Sequence, residues 1–158
     1  MSRPLLEIPR AIYGTLVTDL AKSGSGIKEA GAFLLGHIVD QDRRVFSYLM
    51  YEVIATESSR KHAYVAFTAG EMARAWEHCY ATGLQVVADI HTHPLGPGQS
   101  VTDRAHPIIS VPGHVALIAP FFAMHDPQPV DLGVHVFEGA GRWRSMFHQA
   151  AHDAILLM

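Results

Sequence analysis

Two histidines one residue apart, His91 and His93, precede Ser100 and Asp103 in a stretch whose residue types and spacing can hold a metal ion. Imidazole nitrogens and carboxylate oxygens are the usual non-sulfur ligands of zinc. The run Leu84-Gln85-Val86-Val87-Ala88-Asp89-Ile90 leads directly into His91, and its β-branched content favours a strand. Residues two apart in a strand share a face, so His91 and His93 project side by side with Asp89 beside them. Pro94 ends the strand, because it has no N–H to give to the ladder. Leu95-Gly96-Pro97-Gly98-Gln99 then turns the chain, and Asp103 arrives after nine intervening residues from His93, at the start of an expected helix. Two imidazoles and one carboxylate fill three tetrahedral positions and leave the fourth for water, the pattern of a catalytic rather than a structural zinc. The chain has one cysteine, Cys79, which excludes a thiolate-rich structural site.

Each part of this stretch also has a plainer reading. An isolated H-x-H pair is weak as a motif. Ser100-Val101-Thr102-Asp103 reads as a helix start, with Ser100 as N-cap and an acid at the third helical position. That reading and metal ligation are compatible, because the cap fixes where Asp103 points. The combination at the end of a strand is more specific than either half.

His91-Thr92-His93-Pro94, a short loop, and Ser100-x-x-Asp103 together resemble the JAMM motif of the JAB/MPN zinc metalloproteases. That motif includes a glutamate far upstream, before a glycine and an apolar strand. Glu29-Ala30-Gly31-Ala32-Phe33-Leu34-Leu35-Gly36 supplies it. The order of elements from about residue 8 to 138 agrees, and the chain is similar to compact single-domain prokaryotic members. The gap from His93 to Asp103 is one residue shorter than in many eukaryotic members, which bears on the shape of the loop.

The resemblance implies an α/β fold of mixed α+β character, a curved mixed sheet flanked by helices and akin to the cytidine deaminases. It implies one catalytic Zn²⁺ held by His91, His93 and Asp103. A zinc-bound water has a pKa of about 7 rather than 15.7. Glu29 would take a proton from that water and pass it to the leaving amine. Ser100 would donate to the developing oxyanion. The implied reaction is hydrolysis of an amide or isopeptide bond at the C-terminus of a ubiquitin-like protein. That means deconjugation, precursor processing or maturation of a sulfur carrier, within a ubiquitin-like conjugation system. The substrate tail would reach the site by adding a strand to an exposed sheet edge. Short connections leave little room for insertions that select one polyubiquitin linkage. Asp89, read from the strand alone, is a candidate for orienting His91 from behind. Two other classes compete. One is a scaffold without metal, against which all five positions are filled. The other is a zinc hydrolase of small molecules, but the H-x-E and P-C-x-x-C signature of the zinc deaminases is missing.

Length and composition agree with such an enzyme. At 158 residues the chain suits one domain spanning 1–158 with a proper core. Hydrophobic residues make up 49% and charged residues 17%, with a net charge of −3 that gives no nucleic-acid footprint. No apolar run approaches membrane-span length. A lone cysteine fits the cytoplasm.

Several elements must position these residues. Ile8, Ile12, Leu16 and Leu20, with Tyr13 and Val17, predict an amphipathic helix over 8–22, stopped by Ser23-Gly24-Ser25-Gly26. Residues 31–39 read as a strand buried on both faces, followed by a turn at 40–43 and a strand over 45–55. Residues 56–62 read as a loop and 64–67 as a short strand. Thr68-Ala69-Gly70-Glu71 has capping-box spacing. It opens a helix whose stripe is expected at Met72, Trp76, Cys79 and Tyr80, and which Gly83 ends. Cys79 is therefore a core residue rather than a nucleophile. A short helix over 102–108, limited by Pro107, a strand over 114–119 and a loop over 120–129 follow. Residues 130–137 and 142–147 form a hairpin. Residues 149–158 have no clear preference, and His148 and His152 lack the glutamate of an H-E-x-x-H pair.

Overall fold

In the computed structural model, which describes residues 3–52 and 69–158, the strand carrying His91 runs inside a mixed sheet. The strands are β1 (Leu6–Ile8), β2 (Gly31–Val39), β3 (Asp42–Tyr51), β4 (Gln85–Thr92), β5 (Val115–Ala119), β6 (Gly133–Gly139), β7 (Arg142–Met146) and β8 (Ile155–Leu157). Their order across the sheet is β7-β6-β5-β4-β2-β3-β1-β8. The helices are α1 (Arg10–Gly24), α2 (Ala69–Thr82), α3 (Val101–Ala105) and α4 (Gln149–Ala154).

β4 pairs antiparallel with β2 on one side and parallel with β5 on the other. Two parallel neighbours need a long crossover rather than a tight turn. Here that crossover leaves the end of β4, forms α3 and returns to β5. It is the segment that carries Ser100 and Asp103. The topology therefore places the loop residues directly over the end of the strand that holds the histidines.

Alternation along the strands divides the sheet into two faces. On one face Ala32, Leu34, Ala88, Ile90, Val115, Leu117, Val134 and Val136 pack with Leu16 and Leu20 of α1. On the other, Phe33, Leu35, Tyr51 and Val86 pack with Ala75 and Cys79 of α2. The second face carries the site. Its cross-strand rows run Tyr51–Gly31–His91–Ile118–Gly133 and Leu49–Phe33–Asp89–Ala116–His135–Ser145. Gly31 is required in the first row, since a Cβ there would lie 2.2 Å from the ring of Tyr51.

Three expectations are corrected, and the segment left open at 149–158 takes a defined structure. Ile8 belongs to a strand and α1 begins only at Arg10, because the residue before a proline is steered away from helical backbone. β1 slots between β3 and β8 in parallel, so the last residues are strand as well as helix. Leu5 donates to the carbonyl of Ala154, and Met158 to that of Ile8. The apolar stripe of α2 runs through Met72, Ala75 and Cys79. Trp76 is 49% and Tyr80 93% exposed, since one residue of helical turn past Cys79 carries Tyr80 off the buried face. The segment 120–129 contains a 3₁₀ turn at Phe121–Ala123, and a second, Pro129–Asp131, takes the first residues of the strand expected from 130, which begins at Gly133.

α3 stops at Ala105, short of Pro107. β3 ends at Tyr51, and the expected continuation through 53–55, the loop at 56–62 and the strand at 64–67 lie outside the described residues. No helix among the described residues is long and apolar enough to cross a membrane.

Candidate metal centre

The end of β4 brings three side chains together. His91, His93 and Asp103 are 4%, 6% and 8% exposed. His91 Nε2 lies 3.1 Å from His93 Nε2. Asp103 Oδ1 lies 3.6 Å from His91 Nε2, and Oδ2 lies 3.0 Å from His93 Nε2. Metal–ligand bonds of about 2.0–2.1 Å give a tetrahedral edge of about 3.3 Å, so these separations bracket what a zinc ion needs. Among the described residues this is the one group of three or more donors that meets so closely. His148 and His152 are exposed and belong to no such group.

The capping box fixes Asp103. Its backbone N–H donates to Ser100 Oγ at 3.0 Å, and Ser100 N–H donates to Asp103 Oδ2 at 3.0 Å. Burial by itself would raise the Asp103 pKa. The close approach of His91 and His93, the charge of His91 and the Ser100 amide outweigh it, holding the carboxyl well below the usual carboxylate range. Burial works against protonation of His91, but the nearby Asp103 carboxylate and the charges of Asp89 and Glu29 raise its pKa overall. Asp103 is therefore ionised, and its carboxylate is the group that attracts a cation. Ser100 Oγ accepts from Asp103 with a lone pair, which leaves its O–H proton available to another acceptor.

Glu29 precedes β2 in the loop after α1, and the strand pairing carries it to the site. Ala30 N–H donates to Thr92 Oγ1 at 3.0 Å, and Thr92 N–H donates to the carbonyl of Ala30 at 2.9 Å. Gly31 pairs with His91, so the antiparallel register sets Glu29 opposite His93. The Glu29 carboxyl is half-buried, and burial raises its pKa. The field of His91 and His93 opposes that shift, and that of Asp103 adds to it. Thr92 was hidden inside the H-T-H-P motif, where the sequence shows only a residue between two histidines.

Asp89 shares the buried face with His91, as strand alternation requires, but its hydrogen bond goes elsewhere. His114 Nε2–H donates to Asp89 Oδ2 at 2.6 Å. The direct bond that would orient His91 is not present, because β5 brings His114 alongside β4 first.

Two further residues hold the segment from His93 to Arg104, and neither carries a local signal in its own stretch of sequence. His135 on β6 is 1% exposed. Its Nε2–H donates to the carbonyl of Pro97 at 3.0 Å, so Nδ1 accepts from Ser145 Oγ–H at 2.7 Å. Burial pushes its pKa down to about 4, which keeps the ring neutral and this tautomer fixed. Gly133 is needed for the same contact, since a Cβ there would sit 2.0 Å from the Pro97 oxygen. Trp143 on β7 donates from Nε1 to the carbonyl of Arg104 at 3.0 Å. The β6–β7 hairpin thus grips the loop on both sides of Asp103.

The turn after β5 closes the other flank. Phe121, Phe122 and Ala123 have φ of 53°, 53° and 60°. Left-handed backbone costs roughly 1–2 kcal/mol per non-glycine residue. Two bonds hold it, Phe122 N–H to the carbonyl of His93 at 2.8 Å and Phe121 N–H to that of Leu95 at 3.1 Å. Cys79 lies away from this centre in the second core, where burial pushes its thiol pKa up.

Two solved structures share the fold. A protein of Desulfitobacterium hafniense matches with a TM-score of 0.66 and 19% identity over 97% of this chain and 92% of its own. A protein of Salinibacter ruber matches with a TM-score of 0.61 and 22% identity over 90% and 89%. At the level of sequence, residues 12–129 match the family described as prokaryotic homologs of the JAB domain. That span takes in Glu29 and every donor of the centre, and the chain belongs to this family.

Proposed function

We propose that this protein is a zinc-dependent hydrolase of amide or isopeptide bonds, with His91, His93 and Asp103 as the metal ligands. The observation that carries this reading is the convergence of three buried donors at 3.0–3.6 Å. Glu29, a fourth ionisable group, couples electrostatically to all three. Zinc held there supplies Lewis acidity toward a carbonyl oxygen and toward water.

The protein's own residues do the rest. Glu29 accepts a proton from the attacking water as the C–O bond forms. It returns that proton to the amine nitrogen as the C–N bond breaks. Its raised pKa, caused by burial, makes it a better acceptor near neutrality than an exposed carboxylate. Ser100 donates its O–H to the carbonyl oxygen as negative charge collects there. Asp103 stays ionised throughout, held by the Ser100 amide.

The proposed substrate is the extended C-terminal tail of a ubiquitin-like protein, as a conjugate or an extended precursor within a ubiquitin-like conjugation system. The resemblance of the His91–Asp103 stretch to the JAMM motif suggests that class. The edge strand β7 flanks the loop grip and gives such a tail a place to pair. The test is cleavage of a ubiquitin-like protein carrying a C-terminal extension, by wild type and Glu29→Gln. Cleavage by wild type alone, with equal zinc in both, supports the reading. Full turnover by Glu29→Gln would remove Glu29 from the chemistry.

A further inference from the structure

Behind the donor cluster, two buried polar atoms have no hydrogen-bond partner among the described residues: His91 Nδ1 and Asp89 Oδ1. Asp89 and His91 both line a cavity of about 20 Å³ that borders the donor cluster, together with Asp103, Gln99, His106 and His114. One water needs roughly 10–15 Å³ of such space and two to four polar partners. The cavity meets both conditions.

The chemistry of His91 says what that water would do. A neutral imidazole carries one N–H, and the nitrogen that faces a metal must keep its lone pair. His91 turns Nε2 toward His93 and Asp103. Its proton therefore belongs on Nδ1, where a buried donor requires an acceptor. Asp89 offers one. Its Oδ2 is already fixed by His114 Nε2–H at 2.6 Å, and its Oδ1 is the atom left over. The bond from His114 holds the Asp89 carboxylate in one orientation. No direct bond joins Asp89 to His91, so the link is one molecule long.

We propose that this cavity is a water-binding site, and that its water joins His91 Nδ1–H to Asp89 Oδ1. Asp89, held by His114, then acts as a positioning residue that keeps His91 in the tautomer able to ligate metal. The inference rests on the metal reading of the donor cluster. It goes beyond it by assigning a role to two residues that touch neither metal nor substrate. Without the Asp89 carboxylate that water loses the acceptor that orients it, which loosens its hold on Nδ1–H and weakens the ligand.

The test uses metal-free protein titrated with Zn²⁺ in competition with a chromophoric chelator. Wild type, Asp89→Asn and His114→Gln are compared, with circular dichroism and melting of the metal-free forms as the control for folding. Asp89→Asn is expected to bind zinc 10–100-fold more weakly, the loss that follows when a ligand histidine loses the group that orients it. His114→Gln should lose affinity in the same direction by a smaller factor. In the zinc-loaded wild type, nitrogen-15 spectra should show a slowly exchanging Nδ1–H on His91, and this signal should broaden or vanish in Asp89→Asn. Unchanged zinc affinity in a folded Asp89→Asn, with that signal intact, overturns the proposal while the metal reading stands. If Asp89→Asn does not fold, unchanged affinity in His114→Gln overturns it. A folded wild type that takes up no zinc overturns both.

Discussion

His135 makes a prediction whose sign and size follow from its surroundings. The ring is buried and neutral, with a pKa of about 4 in the fold against an ordinary 6.5. Between those values the unfolded chain binds a proton that the folded chain refuses. Stability from this group is therefore complete above pH 6.5 and declines as pH falls through 6.5 toward 4. One pKa unit corresponds to about 1.36 kcal/mol, so the folded protein loses about 2 kcal/mol between pH 8 and pH 5 from His135 alone. His135→Gln removes this titration while keeping an N–H able to reach the Pro97 carbonyl. Urea unfolding of metal-free wild type and variant from pH 5 to 8 reads the difference between the two curves. Wild type should be the more stable at pH 8, by about 1–3 kcal/mol for a disturbed buried hydrogen bond. That advantage should shrink or vanish by pH 5. Comparing wild type with variant cancels the titration of His91, His93 and Asp103, which both chains share. Parallel curves over the whole range would refute the claim that a neutral His135 pins the loop.

Other changes test the same architecture. Gly133→Ala forces Cβ against the Pro97 oxygen, so the protein should fold with a displaced loop and hold zinc at least tenfold less tightly; calorimetric titration decides it. Gly31→Ala pushes Cβ into the ring of Tyr51 and should cost about 1–3 kcal/mol of stability by overpacking, read in urea unfolding. Ser100→Ala should slow turnover by about 10²–10³ if the hydroxyl stabilises an oxyanion, and a loss of about 1 kcal/mol in stability should accompany it from the missing cap. A near wild-type rate with that stability loss would leave Ser100 as a cap alone.

Much of the centre was legible because its chemistry is local. The H-x-H spacing needed only strand alternation to align two ligands, and Ser100 with Asp103 needed only the capping box. Glu29 was reached through family resemblance, since nothing local ties residue 29 to residue 91. The pairing of Gly31 with His91 supplies the connection. His114, His135 and Trp143 stayed hidden for the same reason. Each is a single polar or aromatic residue whose partner comes from a neighbouring strand or a distant loop. Asp89 was placed on the correct face, but strand period says nothing about which neighbour arrives next to it, and β5 delivered His114. The misreading of the first helix has a different origin. Ile8 satisfies both the helical spacing with Ile12 and the buried position in β1, and Pro9 together with pairing to the C-terminal strand separates the two. In α2 the four-residue spacing from Met72 to Trp76 to Tyr80 competed with the true stripe through Ala75, whose small side chain carries little signal.

The central claim is that His91, His93 and Asp103 hold one zinc ion. Elemental analysis of purified wild type and His93→Ala, both shown to be folded, tests it most directly. About one zinc per chain in wild type and little or none in the variant is the predicted result. A folded wild type without zinc after exposure to the metal, or equal zinc in both proteins, would contradict it.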